Sequence, residues 1–263
     1  MNDVQNKRSP SMSQTWNPQV LVLAETNSTN DYLLQNDIYL CQSGLAVLAL
    51  SQTAGRGRLG RSWQAGGQGN LACSLSLDPR PYPVPVYSFT LLAGLALRRA
   101  VAGWGLEECQ LKWPNDLLVR GKKMAGILCE SAVSSQGPRL VVGLGVNLSG
   151  GVEQFPPELQ SVVTTLEAET GRKLGAELLL QFFLRELGCI LEQLPQTGLA
   201  PWVQAWEGES GSLGQMIYYQ GPTGWGQGRI LGLAPDGRLR VDKGKEGIQE
   251  LLSGETSFRP PGC

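Results

Sequence analysis

Arginine and glycine alternate in one short segment, residues 55–63, which read GRGRLGRSW. Arginine carries a planar, permanently charged fork of donors that matches carboxylate and phosphate groups. Glycine lets the backbone approach a ligand closely, because no Cβ stands in the way. This composition predicts a loop that binds a small anion. The alternative is a basic loop whose arginines merely face water.

The same segment matches two phosphate-binding patterns. Its glycines satisfy the dinucleotide fingerprint, and it approaches the P-loop pattern with Arg61 in place of the lysine. Both motifs require a helix directly after the glycines. Residues 62–70 are instead rich in Gly and Gln, and residues 71–77 alternate like a strand. We therefore favour a strand at 45–50, an anion-binding loop and a second strand over a dinucleotide fold.

A second polar cluster lies at residues 112–117, KWPNDL, with Lys123 shortly after it. A lysine can neutralise phosphate, a carboxylate such as Asp116 can hold Mg²⁺, and Asn115 can bind a ligand or the turn. The segment is therefore suited to handling a nucleotide. Asn and Asp after proline are also good turn formers, so a charged surface turn is the alternative.

The surrounding pattern predicts an α+β fold, in which a mixed β-sheet flanked by helices precedes a small β-barrel. We expect strands at 20–24, 110–113, 116–119, 123–133 and 140–147, and helices after Ser28 and at 89–102, 174–194 and 199–207. Pro195 is expected to stop the longest helix. Short strands separated by glycine-rich turns follow at 216–219, 228–233, 239–241 and 248–252. The predicted parts are a flexible tail (1–17), a main domain that carries both polar segments (18–210) and a small C-terminal β-barrel domain (211–263).

Bulk composition excludes several classes of protein. The 263 residues include 22 basic and 23 acidic residues and no histidine. Histidine-dependent triads are thereby excluded, and the balanced charge argues against non-specific nucleic-acid binding. Six widely spaced cysteines without a CxxC pair, most of them in apolar surroundings, indicate reduced, buried thiols. The N-terminus shows no apolar signal core, and no apolar run is long enough to span a bilayer, so we expect a cytoplasmic protein.

Four segments carry a resemblance to a known family: GRGRLGRSW at 55–63, KWPNDL at 112–117, KMAGILCE at 123–130 and GLGVNL at 143–148. In order and spacing they resemble the biotin protein ligase family, and residues 25–30, 199–202 and 253–259 extend the likeness. The resemblance implies the class II synthetase-like catalytic fold of biotin and lipoate ligases, with an SH3-like barrel at the C-terminus. Because only a short polar tail precedes the first strand, we expect the short form without an N-terminal DNA-binding domain.

The resemblance also implies a two-step reaction. Biotin is activated by ATP as biotinyl-5′-AMP, and the biotinyl group then passes to a lysine of a biotin carboxyl carrier protein. ATP and Mg²⁺ are the implied cofactors, with biotin as substrate. The implied partner is the carrier subunit of acetyl-CoA carboxylase, or pyruvate carboxylase, whereas DNA and membranes are not expected partners. Exposed strand edges would allow a homodimer.

The functional residues of the family map onto this chain position by position. By resemblance, the catalytic residues are Arg58, Lys123 and Asp116, and Asp116 is also the candidate Mg²⁺ ligand. The implied biotin-binding residues are Ser28, Thr29, Asn30, Gln52, Gly55, Arg56, Gly57, Arg58, Lys123 and Gly126. The implied ATP-binding residues are Arg58, Arg61, Trp63, Lys112, Asn115, Asn147 and Arg259. The loop at 55–63 would close over the adenylate and exclude water.

Structural roles are also open for several of these residues. Ser28 with Asp31 would form a helix capping box. Trp63 is large enough to be a core residue, Asp116 could pair with a basic side chain, and Arg259 could simply be exposed.

Two other functions share this sequence pattern. A lipoate or octanoate ligase would have the same fold, but a fatty acyl chain prefers an apolar pocket, whereas the polar residues 28–30 suit a ureido ring. A regulator that binds biotin without catalysis is the non-enzyme alternative. Retention of Arg58, Lys112 and Lys123 argues against it.

Overall fold

The chain builds a mixed β-sheet that holds both polar segments. The computed structural model describes residues 16–64, 69–221, 224–252, 254–258 and 260. Its larger sheet comprises β1 (Gln19–Leu23), β2 (Leu45–Ala49), β3 (Leu71–Leu77), β4 (Cys109–Lys112), β5 (Asp116–Val119), β6 (Lys122–Ser134) and β7 (Gly137–Val146). Within the described ranges the strand order is β1-β2-β3-β7-β6-β5-β4. Of these strand pairs, β1–β2 is parallel and the others are antiparallel, which confirms the mixed sheet.

Helices cover both faces of this sheet. They are α1 (Thr29–Leu34), α2 (Asp37–Leu40), α3 (Phe89–Ala102), α4 (Leu166–Thr170), α5 (Ala176–Thr197) and α6 (Ala200–Gly208). Val47 on β2 packs with Leu33 of α1 in a small cluster. Its neighbour Leu48 belongs to the main core with Phe89 of α3 and Phe183 of α5. Successive side chains of a strand point to opposite faces, so α1 lies on one face and α3 and α5 on the other.

Strand β3 shows how the alternating pattern works. All 7 of its residues are buried, because it lies between β2 and β7. Leu75 and Leu77 face the main core, whereas Ser74 and Ser76 are buried on the α1 face. A buried hydroxyl must find a hydrogen-bond partner. Ser76 donates to Leu40 O, and Ser74 finds its partners among the predicted site residues.

Helix α5 does not stop at Pro195, so that prediction is wrong. The helix continues to Thr197, and Gly198 follows at φ 64°. Pro195 has no N–H to donate, but this close to the helix end its position removes a single hydrogen bond. The amide of Gly198 still donates to Leu194 O at 3.0 Å, which closes the last turn.

The prediction of buried thiols holds for only part of the described cysteines, all of which are free. Cys73 and Cys109 are buried, and Cys41 and Cys129 are half-buried. Cys189 is exposed on α5, and there the prediction is wrong. Its neighbours Leu187 and Ile190 take the inward positions of the helix instead. Cys263 lies outside the described residues.

The C-terminal segment forms a second, antiparallel sheet. It contains β8 (Met216–Gly221), β9 (Gly224–Leu233), β10 (Leu239–Asp242), β11 (Ile248–Leu251) and β12 (Thr256–Ser257), in the order β11-β10-β9-β8-β12. This sheet agrees with the small SH3-like domain that was expected, although in the described residues no ladder joins β11 to β12 to close a barrel. Its inward side chains, such as Ile217 and Val241, are continuous with the main core. The domain boundary after residue 210 stays a prediction.

Most of the predicted tail, residues 1–15, lies outside the described part of the chain. Trp16 packs against α5, where its Nε1 donates to Leu184 O at 2.9 Å. Among the helices that the structure describes, none is long and apolar enough to cross a membrane.

Candidate active site

The arginine and glycine loop is a hairpin between β2 and β3. Arg56 and Ser62 form an antiparallel bridge, and the amide of Trp63 donates to Gly55 O at 2.8 Å. A Cβ at Gly55 would stand 2.5 Å from Trp63 O, so only glycine fits at this crossing. Arg58–Gly60 make a 3₁₀ turn, and the next element described is β3 rather than a helix. The described residues of this segment, 55–64 and 69–77, therefore show neither the dinucleotide nor the P-loop arrangement.

Arg56 anchors the first arm of the loop on the α1 face of the sheet. Its guanidinium contacts the carboxylate of Asp31 on α1 and lies 2.7 Å from Glu130 Oε1 on β6. Burial works to lower the pKa of Arg56, but attraction to Glu130 and Asp31 outweighs it and leaves the pKa raised. Arg56 is therefore paired and not merely solvated.

Arg58 connects the tip of the loop to two other parts of the chain. Its Nη1 donates to Asn115 Oδ1 at 3.2 Å and to Gly254 O at 3.1 Å. Asn115 is held in turn, because its Nδ2 donates to Ile127 O at 2.9 Å. Burial lowers the pKa of Arg58, although the guanidinium stays charged at any physiological pH. The loop thus reaches both the KWPNDL hairpin and the C-terminal segment.

Fixed donors and acceptors line the end of the pocket below α1. The amide of Thr29 donates to Gln52 Oε1 at 3.0 Å. Ser74 Oγ lies 2.7 Å from Thr29 Oγ1 and also contacts Asn30 Oδ1, while Asn30 Nδ2 lies 3.3 Å from Leu128 O. Thr29, Asn30 and Ser74 are all buried. Such a network suits a small polar ring whose N–H and C=O groups need partners at fixed positions.

Ser28 serves the backbone as well as the pocket. It is the N-cap of α1, and its Oγ accepts from the amide of Asp31 at 3.4 Å. The Asp31 carboxylate binds Arg56, so only the serine half of the expected capping box is seen. Ser28 also lines the pocket. A ligand there would compete with a long and therefore weak capping bond.

Basic side chains surround one carboxylate at the other end of the pocket. Asp116 faces Lys112 across the β4–β5 hairpin, with 3.9 Å between Lys112 Nζ and Asp116 Oδ2. Lys123 Nζ lies 2.7 Å from Asp116 Oδ1, and Arg61 pairs with Glu255. Burial lowers the pKa of Lys112; attraction to Asp116 opposes this effect, and repulsion from Lys123 adds to it. The local excess of positive charge suits a polyanion such as a triphosphate.

Trp63 forms part of the floor between these two ends. A Cβ at Gly145 would lie 2.3 Å from Trp63 Cε2, and one at Gly126 would lie 3.3 Å from its Cζ3. The indole therefore rests on β6 and β7 where neither strand has a side chain. Lys123 Nζ stands 5.6 Å from the ring centroid, within the range of a cation–π contact. Trp63 lines the pocket and is not part of the hydrophobic core.

The C-terminal segment completes the pocket wall. Gly254, Glu255 and Thr256 all line the pocket. Thr256 Oγ1 donates to Trp113 O at 2.7 Å, and Trp113 precedes a cis peptide bond to Pro114. The pocket is therefore built by residues from both sheets.

Most of the predicted site residues line this one pocket. Those on its lining are Ser28, Thr29, Asn30, Gln52, Arg56, Gly57, Arg58, Arg61, Trp63, Lys112, Asn115, Asp116, Lys123 and Gly126. Gly55 supports the loop without lining the pocket. Asn147 is buried away from the lining; its Nδ2 donates to Thr164 O at 3.2 Å, while its Oδ1 has no partner among the described residues. Arg259 lies outside the described residues.

Several supporting residues were not predicted. Ser74, Glu130, Gly145 and Glu255 each contact a predicted site residue. A serine within an otherwise apolar buried strand was a usable signal for Ser74, since a buried hydroxyl needs a partner. Glu130 closes the KMAGILCE segment, where a carboxylate after an apolar run gave a similar signal.

Comparison with known proteins places this pocket in a family. The model of the biotin/lipoate A/B protein ligase family matches residues 22–147. A biotin–acetyl-CoA-carboxylase ligase from Paracoccus denitrificans is 34% identical over 241 residues, which cover 90% of this chain and 99% of that protein. The chain belongs to the biotin protein ligase family.

Other members of the biotin protein ligase family agree with this placement. A biotin–acetyl-CoA-carboxylase ligase from Mycobacterium tuberculosis is 34% identical over 240 residues, covering 86% of this chain and 84% of that protein. The solved biotin protein ligase from Aquifex aeolicus in complex with biotin and ATP has a TM-score of 0.79 and 30% identity, covering 90% of this chain and 97% of that one. The expected biotin ligase fold is thereby confirmed.

Proposed function

We propose that this biotin protein ligase activates biotin with ATP as biotinyl-5′-AMP and transfers the biotinyl group to a lysine of a biotin carboxyl carrier protein. One observation carries the proposal. A single pocket has buried hydrogen-bonding groups at Thr29 and Asn30 and a cluster of cations around Asp116. The related Aquifex aeolicus structure, which contains biotin and ATP, supports it.

In the first step a carboxylate oxygen of biotin attacks the α-phosphorus of ATP. The new P–O bond forms as the bond from the α-phosphorus to the β-phosphate oxygen breaks, and pyrophosphate leaves. The carboxylate is already ionised, so the protein needs no general base and no histidine. Its tasks are alignment and stabilisation of negative charge. We assign these tasks to Lys123 and Arg58, with Lys112 and Arg61 binding the phosphates.

In the second step the ε-amine of the carrier lysine attacks the acyl carbon of biotinyl-5′-AMP. The C–N bond forms as the bond from the acyl carbon to the phosphate oxygen breaks, AMP leaves, and the proton lost by the amine passes to water. We assign Asp116 to orient this amine, because its carboxylate lies 2.7 Å from another ammonium group, that of Lys123. The closed loop at residues 55–63 would keep water away from the anhydride until the lysine arrives.

Asp116 is also our candidate ligand for Mg²⁺. Among the described residues no three metal-binding side chains are grouped together. This donor set fits a Mg²⁺ ion held mainly by the ATP phosphates and touched by one carboxylate, which is a common arrangement for this ion. When bound, the ion would neutralise charge on the phosphates.

Specificity for biotin follows from the buried polar network. We assign Ser28, Thr29, Asn30 and Gln52 to hydrogen-bond the ureido ring of biotin, which would lie beside the backbone of the loop at residues 55–63. An octanoyl or lipoyl chain offers no groups to pair with them, and an unsatisfied buried polar group costs about 1–3 kcal/mol. We assign Asn147 to the ATP site on the family resemblance alone, since its side chain lies behind the pocket lining; its Oδ1 has no partner among the described residues.

We place the docking site of the carrier at the free edge of β6. Strand β5 pairs with β6 only up to Gly126, while β7 pairs with it as far as Ser134. Backbone groups of alternate residues beyond Ile127, such as Cys129 and Ser131, therefore face a side that no described strand covers. An open edge can bind another strand, from the carrier or from a second copy of this chain. The free thiols fit our placement of the protein in the cytoplasm.

Exchange of radiolabelled pyrophosphate into ATP tests the activation step. The protein should catalyse this exchange only when biotin is present, because the adenylate must form and reverse. Octanoate and lipoate should support no exchange in parallel reactions. Exchange with lipoate alone would mean that the pocket is assigned to the wrong acid. Biotin binding without any exchange would favour a non-catalytic regulator.

A further inference from the structure

Glu130 lies between the polar end of the pocket and the arginine loop. Its side chain is 21% exposed and does not line the pocket. Oε2 accepts from Asn30 Nδ2 at 2.7 Å and from Arg56 Nη1 at 3.2 Å, and Oε1 accepts from Arg56 Nη2 at 2.7 Å. One carboxylate therefore joins a residue of the pocket wall to the first arm of the loop.

The same carboxylate fixes the orientation of the Asn30 amide. Nδ2 donates to Glu130 and to Leu128 O, whereas Oδ1 accepts from Ser74. A Cβ at Gly143 would lie 2.1 Å from Oδ1, so the amide fits only because position 143 is glycine. A carboxylate can only accept hydrogen bonds, so it can hold only the nitrogen end of an amide. A neutral glutamine at 130 could turn its own NH₂ toward Asn30 and remove this preference.

Arg56 and Asn30 depend on Glu130 to different extents. Arg56 has a second carboxylate partner in Asp31 on α1. Within the described ranges, the Nδ2 group of Asn30 has, besides Glu130, only the longer bond to Leu128 O. Loss of Asp31 would therefore weaken the loop while Glu130 still holds the Asn30 amide. Loss of the charge at Glu130 would weaken both the loop and the pocket wall.

We propose that Glu130 is a positioning residue that couples recognition of the biotin head group to closure of the loop at residues 55–63. It acts through Asn30 on one side and Arg56 on the other, without touching the ligand. The inference rests on the proposed function, since it takes the biotin head to lie against Thr29 and Asn30. Tight biotin binding and retention of biotinyl-5′-AMP should therefore both require a carboxylate at this position.

Two measurements on the full chain separate this role from a merely structural one. Calorimetry without ATP gives the Kd for biotin, and a quenched single turnover gives the release rate of biotinyl-5′-AMP. Glu130→Gln should raise both by about tenfold, which corresponds to about 1.4 kcal/mol each. Asp31→Asn should raise the release rate but raise the biotin Kd by less than Glu130→Gln does, because the Asn30 amide stays held by Glu130. Glu130→Asp keeps the charge and should recover part of both losses.

Glu250→Gln is the matched control. Glu250 is an exposed carboxylate on β11, paired with Arg238 at 2.9 Å in the C-terminal sheet and outside the pocket lining. Its loss should change neither readout. The coupling is overturned if Glu130→Gln matches wild type in either measurement, or raises the biotin Kd no more than Asp31→Asn does. A wild-type protein that forms no adenylate would instead overturn the proposed function, and this inference with it.

Discussion

Replacing Arg58 with glycine should open the loop over the pocket while leaving the fold intact. Arg58 binds the rest of the protein through Nη1, which donates to Asn115 Oδ1 at 3.2 Å and to Gly254 O at 3.1 Å. The turn that carries it, Arg58–Gly60, contains no buried residue. Its contribution to the hydrophobic core is therefore negligible, and the change should lower the free energy of unfolding by no more than about 3 kcal/mol, the most that its hydrogen bonds can contribute, which leaves the protein folded.

The expected size of the effect on the intermediate follows from these two bonds. A hydrogen bond from a charged group contributes about 1.5–3 kcal/mol, and because one nitrogen serves both acceptors we take about 3 kcal/mol for the pair. Each 1.4 kcal/mol is about a factor of ten, so biotinyl-5′-AMP should leave Arg58→Gly about 100-fold faster than wild type. The freed adenylate would then react with any lysine it meets.

Labelling of a bystander protein measures this escape. Wild type and Arg58→Gly are each incubated with biotin, ATP and a protein that carries no acceptor site, and biotinylated lysines are counted by mass spectrometry. The variant should label bystander lysines that wild type leaves unmodified. Arg58→Lys keeps the charge but not the fork of donors, so its leakage should be intermediate. If Arg58→Gly retains the adenylate as long as wild type does, our reasoning about loop closure is wrong.

Three further predictions concern the pocket floor under Trp63, the buried charge of Lys112 and the reactivity of the cysteine thiols. Gly145→Ala would place a Cβ 2.3 Å from Trp63 Cε2 and displace the indole. The KM for ATP should therefore rise while the biotin Kd stays constant. An unchanged KM would contradict the role of Trp63 as the floor of the ATP end of the pocket. Lys112→Met should raise the Tm at about pH 7 but impair use of ATP, because burial lowers the pKa of Lys112 and its charge destabilises the folded state. This gain should shrink as pH rises through the lowered pKa, since the folded wild type loses its proton before the unfolded chain does; a constant difference in Tm would refute it. Burial raises the pKa of Cys109 to about 11, whereas Cys189 is exposed. Iodoacetamide at about pH 8 should therefore label Cys189 and spare Cys109 until the protein unfolds. Labelling of Cys109 in the folded protein would contradict the burial of that thiol in the core.

Local pattern was sufficient to predict much of the fold. Helix α3 occupies Phe89–Ala102 as expected, because its apolar and small residues recur at helical spacing. Strand β3 follows the alternation at residues 71–77. Pro195 misled the prediction because a proline near the end of a helix removes only one bond. The exposure of Cys189 could not be predicted from its apolar neighbours, since it depends on which face of α5 meets the sheet.

The site was predictable where the chemistry is local in sequence. The arginine loop and the KWPNDL hairpin can each be recognised from the types and spacing of their residues. The residues that hold the site together are distant in sequence. Asn30 contacts Glu130, which is 100 residues away, and Arg58 contacts Gly254, which is 196 residues away. Such pairs are brought together only by the order of strands in the folded sheets. For this reason Glu130 and the C-terminal wall of the pocket were missed.

Intact-mass analysis of a biotin carrier domain is the most direct test of the central claim. The domain is incubated with this protein and Mg-ATP, with biotin in one reaction and octanoate or lipoate in another. Our account predicts a biotinyl mass increment that requires ATP and the acceptor lysine, and no acyl increment from the other acids. Transfer of only the lipoyl-type acid, or biotin binding without any transfer, would contradict it.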